Sequence, residues 1–162
     1  MQKRYETILN RALEALLKVY GDRLISVVIF GSVGRGTARP DSDIDILVVA
    51  RDLPPGRLKR MDEFNRVEQL VLPELARLRR LGVETELSAI LKTPEEIQRG
   101  SLLFLDMTQD AIILYDPQNF MGDFLERLKA KLNQLKARRV FRANAWYWDL
   151  KPDYRPGEDI GL

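Results

Sequence analysis

Residues 24–50 read LISVVIFGSVGRGTARPDSDIDILVVA, and the order of apolar and acidic positions in this stretch decides the fold. Residues 24–30 are β-branched and almost wholly apolar, the pattern of a strand buried on both faces. Residues 31–42, rich in Gly, Ser, Arg and Pro, read as a loop. Residues 43–50 read as a second strand whose carboxylates stand only at its beginning. Period-two alternation places Asp43 and Asp45 on one face of that strand and sends Ile44 the opposite way, into the core.

Working outward, Ile8, Leu9, Leu13, Leu16, Leu17 and Tyr20 recur at helical spacing, and Gly21 can cap the helix they predict. Beyond the breaker at residues 51–56, Leu58, Met61, Phe64, Val67, Val71, Leu75, Leu78 and Leu81 continue a helical stripe that Pro73 should kink or split. Residues 83–91 (VETELSAIL) alternate as a third strand, with Glu84, Glu86 and Ser88 on one side. Thr93, Pro94 and Glu96 spell a capping box with proline at the first helical position. Residues 111–115 predict a fourth strand, and a last amphipathic helix is expected from residue 120 to about 139. The final segment holds Trp146, Tyr147, Trp148 and Tyr154 with no regular period. Strands alternating with helices give an α/β (α+β) class, a small mixed sheet flanked by helices.

A chain of 162 residues, 45% hydrophobic and 31% charged, is large enough for one domain with a full core. Cysteine and histidine are both absent, which excludes thiol nucleophiles, disulfides, Cys/His zinc sites and every His-dependent triad. Chemistry must fall to carboxylates, hydroxyls, amines and bound metal. The net charge of +2 is too small to declare a nucleic-acid binder. The longest apolar stretch is far short of a membrane span and the N-terminus is not signal-like, so a cytoplasmic protein is expected.

The two carboxylates converge without a basic strand residue to neutralise them, so a divalent cation is their natural partner, and magnesium suits all-oxygen ligation that leaves room for phosphate. Gly31 allows close approach of a phosphate, and Ser32 can donate to its oxygens. Arg35 and Arg39 add fork-shaped donors suited to a triphosphate, while Gly34 and Gly36 permit the turns of such a loop. A two-metal nucleotidyl transfer usually needs a third carboxylate. Glu84 and Glu86 are the candidates, and Glu86 is preferred for lying nearer the middle of its predicted strand.

Gly31-Ser32, Arg35-Gly36 and the run Asp41-Ser42-Asp43-Ile44-Asp45 resemble the signature of the polymerase beta-like nucleotidyltransferase superfamily, in particular its minimal nucleotidyltransferases. The resemblance covers roughly residues 25–90. It implies a nucleotidyltransferase fold over residues 1–140, with Ser32 contacting the NTP triphosphate and Asp43 and Asp45 binding Mg²⁺. A third acid would belong on the strand carrying Glu84 and Glu86, where many relatives have Asp. The resemblance also implies a HEPN-type helical partner for many members, some being antitoxins that transfer AMP to a partner toxin's tyrosine. A non-catalytic or weakly catalytic antitoxin subunit is therefore the alternative to an enzyme.

Residues 141–162 are expected to be an aromatic, proline-rich tail that packs on the domain, on a homodimer mate or on another partner. Between residues 120 and 142, seven basic side chains (Arg127, Lys129, Lys131, Lys136, Arg138, Arg139 and Arg142) face two acidic ones, Asp123 and Glu126. A solvated helix face explains this excess; RNA is the partner it would suit otherwise.

Overall fold

The computed structural model describes residues 2–162. Helix α1 (Glu6–Tyr20) leads through a single 3-10 turn into β1 (Leu24–Phe30), and the short helix α2 (Gly31–Arg35) follows at once. Strand β2 (Ile44–Ala50), the long helix α3 (Arg57–Arg80), β3 (Leu87–Lys92) and α4 (Pro94–Gln98) come next. The chain continues as α5 (Leu103–Asp110), β4 (Ile112–Tyr115), α6 (Phe120–Gln134) and a two-stranded hairpin of β5 (Arg138–Arg142) and β6 (Ala145–Asp149). The main sheet has the order β3-β2-β1-β4; β1 runs antiparallel to β2 and β4, and β2 parallel to β3. It is the small mixed sheet the sequence leads one to expect.

Both faces of this sheet are covered, which is why β1 and β2 read as near-continuous apolar runs. Ile44, Ile46 and Val48 pack with Val27 and Ile29 beneath α1 and α3, whose Leu9, Leu16, Phe64 and Val71 close that layer. On the opposite face Val28, Leu47 and Val49 meet Ile97, Phe104, Met107, Met121 and Leu125 of α4, α5 and α6. Each such fully buried aliphatic side chain contributes roughly 2 kcal/mol, so the strands that carry the acids are anchored from both sides. Among the described residues no helix is long and apolar enough to cross a membrane.

The elements depart from the sequence reading at several places. Gly31–Arg35 is a helical turn rather than loop, closed by Gly36 in the left-handed region at φ 77°. Pro73 does not split α3, because Phe64, Val67, Val71 and Leu78 are buried on either side of it while the proline ring faces solvent. The third strand begins at Leu87, four residues late: Glu84 is tied instead to the loop, its N–H donating to the Pro40 carbonyl at 2.8 Å. Helix α6 stops at Gln134, where Lys136 turns left-handed at φ 58° and the Ala137 N–H reaches back to the Leu132 carbonyl at 2.9 Å. Arg138, Arg139 and Arg142 therefore sit on β5, and the basic run is divided between a helix and a hairpin. The capping box at Thr93 forms as read, with the Glu96 N–H donating to Thr93 Oγ1 at 3.2 Å.

Candidate functional site

The register of β1 against β2 builds the site. Phe30, the last residue of β1, pairs with Asp45, so the chain turns into α2 directly beside that carboxyl. Gly31 makes the turn at φ 63°, and a methyl group placed on it would land inside the Asp45 carboxyl group. Glycine is required here twice over, for the backbone angle and for the space. Gly34 serves close packing instead of a turn: its α-carbon abuts the end of α5, where an added Cβ would lie 2.7 Å from the Asp110 carbonyl oxygen. Ser32 stands second in α2, half-exposed at the same mouth, and its carbonyl accepts from the Thr37 N–H at 2.9 Å.

Asp45 shares the face of Leu47 and Val49 on β2, which is the face of α4, α5 and α6. Burial raises its pKa above the ordinary carboxylate value, and the neighbouring Asp43 charge adds to the effect; Ser88, opposite Asp45 in the β2–β3 register, and Arg35 pull the other way. Asp43 lies one residue before β2, exposed, with one oxygen accepting the Glu86 N–H at 3.3 Å. Two like charges held at one strand entrance, with no cation hydrogen-bonded to either among the described residues, are the donor set a divalent ion fits.

Glu86 precedes β3 and does not lie in its middle, and it is exposed, as is Glu84. Asp43, Arg79, Glu84, Thr85 and Glu86 line one groove of about 340 Å³, so both glutamates share the Asp43 side of the mouth. Among the described residues no three acidic side chains form a group able to hold a metal ion. A cavity of about 600 Å³ lies elsewhere, between the start of α3, β3 and α4. Its Arg60 and Glu96 satisfy each other at 2.7 Å, so cavity size is a poorer guide here than uncompensated charge.

The two loop arginines part company. Arg39 is exposed, with Asp41 at 3.8 Å its only ion partner among the described residues. Arg35 lies 3.8 Å from Asp110, and its guanidinium covers the Trp146 ring at 4.7 Å from the centroid. Trp146 belongs to the hairpin, which docks on α5: the indole N–H groups of Trp146 and Trp148 both donate to Asp106 Oδ1 at 2.9 Å, and Arg139 grips Asp110 at 2.6 Å. Ser88, Asp110 and Trp146 are the site neighbours that sequence reasoning missed. Only Ser88 had a visible signal, its parity with Glu86 along the strand.

Chemically, the mouth offers two anionic oxygen donors, a glycine-serine turn and one aromatic-backed guanidinium, a set able to receive a polyphosphate together with a cation. Residues 9–107 match the model of the nucleotidyltransferase domain family. A relative from Methanocaldococcus jannaschii, named "putative protein adenylyltransferase", is 32% identical over 147 residues, covering 90% of this chain and 95% of its own. Among solved structures, a toxin-antitoxin with AMP-PNP is 22% identical at TM-score 0.48, covering 79% of this chain and 89% of that one. A tri-AMPylated Shewanella oneidensis HEPN toxin in complex with MNT antitoxin is 17% identical at TM-score 0.46, covering 81% and 88%.

Proposed function

Since the chain belongs to the nucleotidyltransferase domain family, we propose that it moves a nucleoside monophosphate, AMP in the first instance, from an NTP to a hydroxyl group on a protein. The observation that carries this reading is the Asp45 carboxyl, pressed against the bare α-carbon of Gly31 and raised in pKa by burial and by Asp43. In the reaction the acceptor oxygen bonds to the α-phosphorus, the bond from that phosphorus to the bridging oxygen breaks, pyrophosphate leaves and the hydroxyl proton passes to water. Asp43 and Asp45 would hold Mg²⁺, with Glu86 as the third carboxylate. When bound, magnesium supplies neutralisation of the phosphate charge and activation of the hydroxyl. Gly31 and Ser32 cradle phosphate oxygens and Arg35 supplies a planar donor to them, with Arg39, exposed on the loop, left as an outer donor. The name of the archaeal relative supports adenylyl as the group and protein as the acceptor.

The test is incubation with each α-labelled NTP and Mg²⁺, offering protein extract, a HEPN-type helical protein and RNA as acceptors. Magnesium-dependent label on protein is expected, strongest from ATP. Label on RNA alone would replace the acceptor, and absence of both transfer and MgATP binding would overturn the reading.

One observation favours a second reading: no third carboxylate joins Asp43 and Asp45 in a metal-holding group among the described residues. On that reading the chain is a weakly catalytic antitoxin-type subunit of the cytoplasm that binds a HEPN-type helical protein. Complex formation unchanged in Asp43→Asn with Asp45→Asn, with no transfer by the wild type, would favour it.

A further inference from the structure

We infer that the C-terminal hairpin is part of the nucleotide site, Trp146 being a positioning residue that holds the Arg35 guanidinium toward the phosphates. The inference rests on the nucleotidyl-transfer reading and extends the site to an element outside the matched family region, residues 9–107.

Three features support it. Arg35 makes no guanidinium hydrogen bond among the described residues; its 3.8 Å approach to Asp110 is an ion pair beyond hydrogen-bond length. Asp110 is already occupied, its two oxygens accepting from Arg139 at 2.6 and 3.3 Å. What fixes Arg35 is therefore the Trp146 ring beneath its guanidinium carbon, a contact that uses no N–H donor and leaves those groups free for an incoming anion. Trp146 is itself locked, with Arg139 packed on it at 4.9 Å and its N–H donated to Asp106. Finally, Arg35 closes the five-residue helix α2 whose first residue, Gly31, abuts the Asp45 carboxyl, so the arginine stands at the mouth rather than on a remote surface. Asp106 and Asp110 lie one helical turn apart on α5, and Gly34 lets the end of α5 abut α2. Hairpin, α5 and α2 thus form one continuous support behind a single arginine.

The chain has two tryptophans, both on the hairpin, which makes the test optical. In Trp148→Phe the emission comes from Trp146 alone. Titration with MgATP is expected to change that emission saturably, with a midpoint equal to the Kd from equilibrium dialysis of labelled ATP. Trp146→Ala should raise the Kd and KM for ATP about 5- to 10-fold with kcat within 2-fold, Trp146→Phe should restore affinity to within 2-fold, and Trp148→Phe should leave it unchanged. Arg35→Ala should raise the Kd as far as Trp146→Ala does, and combining the two should add little. If ATP binds but Trp146 emission and the Trp146→Ala affinity do not change, the hairpin role is overturned and the transferase reading stands. Equal losses in Trp146→Ala and Trp148→Phe would make the hairpin merely structural and also overturn it. Failure of the wild type to bind MgATP would overturn both.

Discussion

Asp45 at the mouth of the β1–β2 turn and Glu96 at the start of α4 are carboxylates on the same side of one sheet, held in opposite circumstances. Glu96 accepts from Arg60 at 2.7 Å and sits in the Thr93 capping box, and these hydrogen bonds, that of Arg60 foremost, depress its pKa to about 2. Asp45 has burial and a second carboxylate for company, and its pKa is raised. The first arrangement stabilises the fold. The second opposes it, and such opposition persists in a protein where a ligand completes the site. The contrast separates a structural acid from a functional one without reference to cavity size.

The most forceful way to break this contrast is Asp45→Asn. Transfer should fall by about 10³-fold, the scale of losing a principal electrostatic contact in a transition state. Stability should move in the opposite direction. A raised carboxylate pKa means that the folded state disfavours the charged form: the penalty is absent below the unfolded value of 3.8 and complete above the folded one, so it is in force at pH 7. Asparagine removes it, and a thermal melt at pH 7 should show the variant no less stable than wild type. A melting temperature lowered by several degrees would show that Asp45 is a structural acid after all.

Gly31→Ala tests the same point through the backbone. The added methyl group meets the Asp45 carboxyl and must be accommodated at φ 63°. Activity should drop about 10²-fold through displacement of Asp45, with a stability loss of about 2 kcal/mol measured by urea unfolding. Serine and alanine should be equally damaging, since the objection is to any Cβ.

At the other acid the prediction inverts. Glu96→Gln should cost about 2 kcal/mol at pH 7, the depressed pKa discounted for a side chain 21% exposed, and leave the Kd for MgATP unchanged. Because the folded pKa lies below the unfolded value of 4.5, this stabilisation is full above pH 4.5 and disappears as pH falls through about 2. Denaturant midpoints of wild type and variant should therefore converge between those limits. A constant difference across that window would mean that Glu96 acts through shape and not charge.

The part of this design written locally was legible in the chain. Strand β1 begins and ends where its apolar run does, and Asp45 meets Gly31 at the turn because alternation and register are short-range rules. The Thr93 box was legible for the same reason. The hairpin was not. Its two-residue turn, Ala143-Asn144, puts alanine at φ 52°, which no turn signature announces, and its inward tryptophans gain their meaning from Asp106, 40 and 42 positions away. Helix α5 was missed likewise, since its eight residues are held mainly by burial of Phe104, Leu105 and Met107, with the Leu103 N–H donating to Ser101 Oγ at 3.3 Å at its start. The position of Glu86 fell between these cases: it lines one groove with Asp43, but it precedes the strand instead of lying in its middle.

That displacement makes Glu86 the finest test of the boundary between the two kinds of acid. Its backbone N–H already donates to Asp43 at 3.3 Å, so the residue is fixed at the mouth by its main chain while its side chain is exposed, without a partner among the described residues. Glu84 lines the same groove but is anchored to Pro40, on the loop side. If a bound cation recruits a third carboxylate, the one nearer Asp43 has the shorter way to travel. Glu86→Gln should then lower kcat about 10-fold with unchanged thermal stability, and Glu84→Gln should stay within 2-fold. The reverse ranking would move the third ligand to Glu84. Two silent variants would leave Asp43 and Asp45 as the whole acidic set, the condition under which the antitoxin-type reading gains most.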